Sequence, residues 1–279
     1  MIRLIAFDMD GTVLDDHKKI LPQTKEVLER LAEQGIELVP ATGRPFCGLS
    51  PEIERLQGVR YVITCNGAGI YEKETGNCLM GDNISLDSLL PLLTELEPLS
   101  VMADPFLKGK AFMSEKNRPL VEKMHVSEEL KEYIRTSRTL VPDLVEYLRE
   151  RGDDVEKLTI NFAENEDGVL QGYDEVLNII RKYPQMNAVS GGIRNIEITK
   201  SGVTKASALM WLGEYLAIDR QEMIAFGDSE NDLEMLRAAG IGVAMENAEE
   251  EAKEASDFVT LSNTDNGIVY ALQKFGVLA

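Results

Sequence analysis

Acidic residues stand at the ends of three apolar runs in this 279-residue chain. Ile5-Ala6-Phe7 gives way to Asp8-Met9-Asp10-Gly11-Thr12, Ala41 to Thr42-Gly43-Arg44, and Phe226 to Gly227-Asp228-Ser229-Glu230-Asn231-Asp232. Along an extended segment alternate residues share a side, so Asp8 and Asp10 project together, while Asp228 and Asp232 arrive from a different strand end. Four carboxylates in one place cannot all ionise cheaply. Raised pKa values or a cation relieve the repulsion. Hard oxygen donors of this kind suit Mg²⁺, which keeps several waters and takes one or two carboxylates plus a substrate phosphate. The same set holds a hydroxyl (Thr42), glycines that leave backbone N–H groups accessible (Gly43, Gly67), and Lys205 at the start of a helix expected over 204–216. Donors and positive charge beside a metal are what a phosphate dianion and its transition state require, so the group reads as a phosphoryl site.

Each of these residues also has an ordinary use. A lone Asp at a strand end more often caps a turn, Asp232 suits the first turn of a helix electrostatically, and an isolated lysine is usually at the surface. The combination decides the matter. Asp-x-Asp-Gly-Thr alone is expected by chance in about one chain in 300 of this length. Asp15 and Asp16 lack such a context and read as solvated, and His17 and His125 have no partner pattern.

The elements that must position these groups follow from periodicity. Short β-branched runs alternate with amphipathic stretches, the pattern of an α/β fold in which helices cover a parallel sheet. Strands are expected over 4–7, 36–41, 61–64, 223–226, 241–244 and 258–260. Helices are expected over 24–34, with Val27, Leu28 and Leu31 on one face, and over 231–239; Gly35 and Gly240 are their stops. Asn66-Gly67 marks a tight turn. In an open parallel sheet ligands bind outside the carboxyl ends of the strands, so the acidic clusters should converge on one crevice. The middle of the chain is more polar, with helices expected over 86–97 and 168–182. Its strands are expected over 99–102, 111–113, 158–162, 187–190 and 193–198, the last two joined by a hairpin-like turn at Ser190-Gly191-Gly192. This pattern implies an α+β unit, residues 84–194, inserted into a Rossmann-like core formed by 1–83 and 195–279, with a hinge near Asp82 and Asn83.

Composition narrows the classes. Forty-eight acidic against 29 basic residues leave a net charge of −19, a field that repels nucleic acid and anionic lipid. No apolar run reaches the ~18 residues of a membrane span, and Arg3 and Asp8 break up the N-terminal run, so a cytoplasmic location is expected. Three cysteines (Cys47, Cys65, Cys78) show no metal or redox spacing and read as reduced structural thiols. The charge run at 246–254 reads as a solvated helix face. Nothing in the pattern fixes an oligomeric state.

Taken together, these motifs resemble the haloacid dehalogenase (HAD) superfamily, in its Cof-type group of sugar-phosphate phosphatases with an inserted C2-type cap. The resemblance spans the chain. Phe7 to Leu14 resembles the first family motif, Ala41-Thr42-Gly43-Arg44-Pro45 the second, Lys205 in Ser201-Gly202-Val203-Thr204-Lys205 the third, and Gly227 to Asp232 the fourth. Asn66-Gly67-Ala68, the segment 242–248 and Asp265-Asn266-Gly267-Ile268 resemble Cof-type flanks. Ala206 and Glu246 replace residues that are often glycine, which touches local loop geometry only.

The resemblance implies that Asp8 is the nucleophile of an aspartyl-phosphate mechanism and that Asp10 is the acid and base. Mg²⁺ would be held by Asp8, the Asp10 carbonyl and Asp228, with Asp232 as a further ligand or as support behind them. Thr42 and Lys205 would hold the phosphoryl oxygens, with Gly43, Asn66 and Asn231 as further substrate contacts. The implied partner is a small phosphorylated metabolite, most plausibly a sugar phosphate, with the insert choosing the leaving group. A phosphomutase or phosphotransferase uses the same intermediate, and a receiver-like phosphoacceptor without turnover uses a similar acidic pocket. The second acid, two residues after the first, favours hydrolysis.

Overall fold

The run Leu-Ile-Ala-Phe is buried at every position and forms β1 (Leu4–Phe7). The amphipathic stretch after it coils into α1 (Pro22–Glu33) with Thr24, Val27, Leu28 and Leu31 facing inward. Proline at the first helical position starts α1 two residues before the expected 24, because its fixed φ suits the first turn and its missing N–H is not needed there. The computed structural model describes residues 1–165, 167–191 and 195–278. It divides into two units, Met1–Met80 with Val203–Ala279, and Gly81–Gly202.

In the first unit α1 is followed by β2 (Glu37–Pro40), α2 (Pro51–Arg55), β3 (Tyr61–Thr64), β4 (Gly69–Glu72) and β5 (Cys78–Gly81). The inserted unit comprises α3 (Leu86–Leu96), β6 (Val101–Leu107), β7 (Lys110–Ser114), α4 (Glu128–Ser137), β8 (Arg138–Val141), α5 (Leu144–Arg151), β9 (Lys157–Phe162), α6 (Tyr173–Ile180), β10 (Met186–Gly191) and β11 (Asn195–Lys200). The chain returns to the first unit with α7 (Lys205–Leu216), β12 (Met223–Gly227), α8 (Leu233–Ala238), β13 (Ile241–Ala244), α9 (Glu250–Ala255), β14 (Phe258–Val259) and α10 (Gly267–Lys274).

The first unit is built on a five-stranded sheet of order β14-β13-β12-β1-β2 in which every neighbouring pair is parallel. β1 therefore lies between a strand from near the end of the sequence and one from its beginning, with Phe7 level with Phe226 on one side and Pro40 on the other. The polar segments after these three strands leave the sheet at the same edge, which is where an open parallel sheet binds ligands. Alternation sends Ile5, Phe7, Leu38, Ile224 and Phe226 to a face covered by α1 and α10. Leu4, Ala6, Val39 and Ala225 go to the opposite face, against Leu209 and Leu212 of α7 and Met235 of α8. Burial on both faces is why these strands are continuously apolar.

The inserted unit has a six-stranded sheet of order β10-β11-β9-β6-β7-β8, antiparallel except for β7 with β8. Its larger core lies on one face, where Leu158, Ile160, Ile196 and Ile198 meet Leu89 and Leu92 of α3, Leu148 of α5 and Val176 of α6; a smaller one on the other face joins Met102 and Met113 to Ile134 of α4. The expected helix over 168–182 is shorter in the structure. Gly168 and Gly172 adopt φ of +75° and +80°, a conformation outside the helix, so α6 begins only at Tyr173. The strand expected over 99–102 instead runs to Leu107, and residues 192–194 of the expected hairpin turn and following strand lie outside the described residues. The helix expected over 231–239 starts as a 3₁₀ turn, Glu230–Asp232, before α8. The three cysteines form no disulfide; Cys65 is buried, whereas Cys47 and Cys78 are exposed. No described helix is long and apolar enough to cross a membrane.

Leu28 is fully buried between α1 and the sheet. Leu28→Ala should destabilise the protein by about 2–5 kcal/mol through lost burial and the cavity left behind, read as a lower urea midpoint. Glu33→Ala, on the exposed side of α1, should leave the midpoint nearly unchanged.

Candidate active site

Lys205 opens α7. Its position is fixed by Thr204, whose hydroxyl accepts from the Ser207 N–H at 3.1 Å while the Ser207 hydroxyl accepts from the Thr204 N–H at 3.0 Å. The lysine side chain runs inward and is 1% exposed. Its Nζ donates to Asp8 Oδ1 at 2.5 Å and to Asp232 Oδ1 at 2.7 Å. The second oxygen of Asp232 accepts the backbone N–H groups of Asp228 at 3.0 Å and Ser229 at 3.3 Å. Asp232 thus uses both oxygens to fix the lysine and the loop after β12. That inward turn is the local reason for a 3₁₀ start in place of a regular helix.

Asp228 is brought in by small residues. The Thr12 hydroxyl donates to its Oδ1 at 2.7 Å. Gly11 has φ of +85°, and a Cβ there would lie 2.4 Å from Asp228 Oδ2, so only glycine lets the two loops approach this closely. One oxygen each from Asp8, Asp228 and Asp232 lies within 4.8 Å of the others. Three carboxylates share one ammonium, which leaves two negative charges over. Burial and the neighbouring Asp232 and Asp228 hold the Asp8 carboxyl well above the usual range, against the pull of Lys205. Asp228 is pushed up to about 6, by burial first and then by Asp232. Burial opposes the charge on Lys205, but Asp232 and Asp8 together outweigh it and keep the ammonium protonated. A cluster of hard oxygens with this charge deficit fits a divalent cation.

Asp10 is not part of that three-oxygen group. Arg44 clamps its carboxylate through Nε to Oδ2 at 2.8 Å and Nη2 to Oδ1 at 2.7 Å, and Lys18 Nζ stands 3.0 Å from Oδ1. Burial works against ionisation here, but the two cations outweigh it and hold Asp10 below the usual carboxylate value. Thr42 is buried at the end of β2 beside Gly43, and its Oγ1 accepts the Arg44 N–H at 3.1 Å. Its carbonyl accepts the Asn66 N–H at 3.1 Å. The Asn66-Gly67 turn rests on the start of α7: a Cβ at Gly67, whose φ is +105°, would lie 2.1 Å from the Thr204 carbonyl oxygen. Asn66 Oδ1 accepts from Asn231 Nδ2 at 3.0 Å, which joins the turn to the loop after β12.

Sequence reasoning brought these acids together but assigned no partner to Asp10, although Arg44 lies inside a quoted motif and Lys18 is only eight residues downstream of Asp10. It also gave no role to Asn247, whose Nδ2 donates to the Gly11 carbonyl at 2.8 Å, or to Asn263, whose Nδ2 donates to the Leu14 carbonyl at 2.9 Å. Both asparagines support the loop that carries Asp8. A polar residue more than 200 positions from its partner leaves no periodic signal in the sequence.

The family model of the haloacid dehalogenase-like hydrolases matches residues 5–272. The 5-amino-6-(5-phospho-D-ribitylamino)uracil phosphatase YitU of Bacillus subtilis is 28% identical over 276 residues, covering 98% of this chain and 97% of the relative. Phosphatase YwpJ of the same organism is 28% identical over 292 residues, covering 98% and 99%. Among solved structures, BT1666 of Bacteroides thetaiotaomicron, a phosphatase of this superfamily, superposes with a TM-score of 0.83 at 25% identity, covering 100% of this chain and 96% of the other.

Lys205→Met should leave Asp8 and Asp232 buried without a counter-charge and destabilise the fold at pH 7.5 by about 3–5 kcal/mol. The sign with pH is set by the carboxyls. As pH falls Asp8 and Asp228, both held above the usual carboxylate value, take up protons and part of the uncompensated charge disappears, so the deficit in melting temperature against wild type should shrink between pH 7.5 and pH 5.

Proposed function

This chain belongs to the haloacid dehalogenase-like hydrolases, and from that premise we propose that it hydrolyses small phosphorylated metabolites, sugar or polyol phosphates foremost, with Asp8 as the nucleophile. The observation that carries the reading is the buried Lys205 ammonium held between Asp8 and Asp232 beside Asp228, two positive charges short of neutral. A phosphatase needs a carboxylate that can approach a phosphate dianion, and this arrangement supplies the carboxylate, a fixed cation and hard ligands. Mg²⁺ would be held by Asp8, the Asp10 carbonyl and Asp228 and would supply the charge neutralisation that this approach demands.

Asp8 attacks phosphorus, its new O–P bond forming as the ester O–P bond breaks, and Asp10 gives a proton to the departing oxygen. Water then attacks the aspartyl-phosphate, Asp10 takes its proton, and inorganic phosphate leaves with Asp8 restored. The Arg44 and Lys18 clamp keeps Asp10 ionised, which suits the second step; in the first, Asp10 must leave that clamp to carry a proton. Lys205 and the Thr42 hydroxyl hold the phosphoryl oxygens, with Gly43, Asn66 and Asn231 as further contacts. Asp232, with both oxygens engaged inside the protein, supports Lys205 and the Asp228 loop. The insert, placed at 84–194 from sequence and contained within the unit Gly81–Gly202, selects the leaving group. The ribityl phosphate in the name of YitU belongs to the same chemical class as the substrates proposed here.

Steady-state phosphate release from a panel of phosphorylated metabolites tests the reading. Asp8→Asn should lower kcat by about a thousandfold or more while the protein stays folded, and turnover near the wild-type rate would sink the nucleophile assignment. Because Asp228 and Asp8 are protonated more readily than ordinary carboxyls, metal must displace protons as pH falls. The Mg²⁺ midpoint, measured by calorimetry, should rise by up to about tenfold per displaced proton for each pH unit between 7 and 5.5.

A further inference from the structure

Two stretches of the first unit, the segment 242–248 and Asp265-Asn266-Gly267-Ile268, have no part in the reaction described so far. The chain after β13 hydrogen-bonds to both loops that carry the clustered acids. Met245 N–H donates to the Gly227 carbonyl at 3.1 Å and Glu249 N–H to the Asp228 carbonyl at 2.8 Å, while Glu249 Oε2 accepts the Glu230 N–H at 3.1 Å. Between these contacts Asn247 turns to the other loop, its Nδ2 donating to the Gly11 carbonyl at 2.8 Å. A five-residue segment thus ties the loop after β1 to the loop after β12.

Asn247 is itself held. Its Oδ1 accepts the Asn263 N–H at 3.0 Å, so the amide presents its nitrogen to Gly11, and Asn263 Nδ2 donates to the Leu14 carbonyl at 2.9 Å. Asn263 is anchored by the second stretch, where the Ser262 carbonyl accepts the Asp265 N–H at 3.1 Å and the Gly267 N–H at 3.2 Å. The Thr260 hydroxyl closes this turn by donating to the Gly267 carbonyl at 2.6 Å.

Gly11 is where the restraint matters. Glycine is the most freely rotating link in a backbone, and a stiffer residue cannot replace it here, because a Cβ would lie 2.4 Å from Asp228 Oδ2. On one side of Gly11 is the Asp10 carbonyl, a donor in the Mg²⁺ set given above. On the other is Thr12, whose hydroxyl donates to Asp228 Oδ1 at 2.7 Å. The Met9 carbonyl accepts the Leu14 N–H at 2.9 Å, so the Asp10 carbonyl stands between two tied carbonyls, and Asn247 supplies the second tie. Mg²⁺ demands near-octahedral geometry, and loss of a group that orients its ligands typically lowers affinity by about 10–100-fold.

We propose that Asn247 is a positioning residue for the metal: by fixing the Gly11 carbonyl it aims the Asp10 carbonyl and sets the approach of Asp228, and so determines how tightly Mg²⁺ is held. The proposal rests on the ligand set of the function given above and adds to it a residue that acts through Gly11.

Calorimetric titration of the metal-free, full-length protein with Mg²⁺ at pH 7.5 tests this in Asn247→Ala and Asn247→Asp. The aspartate keeps an acceptor for the Asn263 N–H and loses the donor to Gly11. Its added negative charge would by itself tighten cation binding, so weaker binding reports the lost donor. The Mg²⁺ midpoint should rise by about tenfold or more in both variants. Asn247 is exposed and gives up few hydrogen bonds, so the melting temperature of each metal-free variant should stay within about 4 °C of wild type. At Mg²⁺ about tenfold above the new midpoint, kcat for p-nitrophenyl phosphate should return to within about twofold of wild type. An unchanged Mg²⁺ midpoint in Asn247→Ala overturns the proposal. So does a raised midpoint accompanied by a larger fall in melting temperature, which marks general loosening of the fold. If wild type binds Mg²⁺ but turns over no phosphate ester, the function given above fails, and the midpoints still decide this proposal.

Discussion

A lysine ammonium buried among carboxylates is expensive to assemble, and the first unit is arranged around making it stable. Lys205 needs Asp8 and Asp232 at hydrogen-bond distance at once, and those residues follow two different strands of the sheet. Burial penalises each charge; only their mutual attraction and saturated hydrogen bonds offset the penalty. β1 and β12 must therefore be adjacent and in register, and α7 must begin where its first side chain points at both strand ends. Gly11 and Gly67 are further consequences of the same close approach, since a Cβ at either position would strike the facing loop.

The remaining charge imbalance connects this arrangement to chemistry. The chain carries a net charge of −19, and its field works against the approach of a phosphate dianion. Local cations counter that field over the short distances where screening is weak: Lys205 on Asp8, and Arg44 with Lys18 on Asp10. The two acids of the first motif, separated by one residue, consequently occupy opposite electrostatic situations. Asp8 is held above its ordinary pKa and Asp10 below it. Environments that drive two titratable groups apart in this way are how one site holds groups for distinct duties.

Strand alternation has different outcomes in the two units. In the parallel sheet both faces are covered by helices and both are apolar. In the inserted sheet one face packs on α3, α5 and α6, while the other combines a smaller apolar cluster, Met102 and Met113 with Ile134 of α4, with the buried polar residues Asp104, Thr159 and Asn161.

The sequence by itself determined the α/β class, the strands carrying the motifs and the identity of the clustered acids. These features are local: an apolar run that ends in Asp, Thr or Gly is visible in a window of ten residues, and its period does not depend on anything distant. The early start of α1, the shortened α6 and the 3₁₀ entry to α8 were less legible, because Pro22, Gly172 and the inward turn of Asp232 override propensity at element ends. Only the tertiary structure decided that Arg44 and Lys18 face Asp10, that Asn247 and Asn263 hold the Asp8 loop, and that Asn161 lies in the interior. Alternation puts Lys157, Thr159 and Asn161 on one face but reads identically whether water or protein lies over it. Burial and pairing depend on which distant segments arrive, and that is settled by packing between elements, which no local pattern encodes.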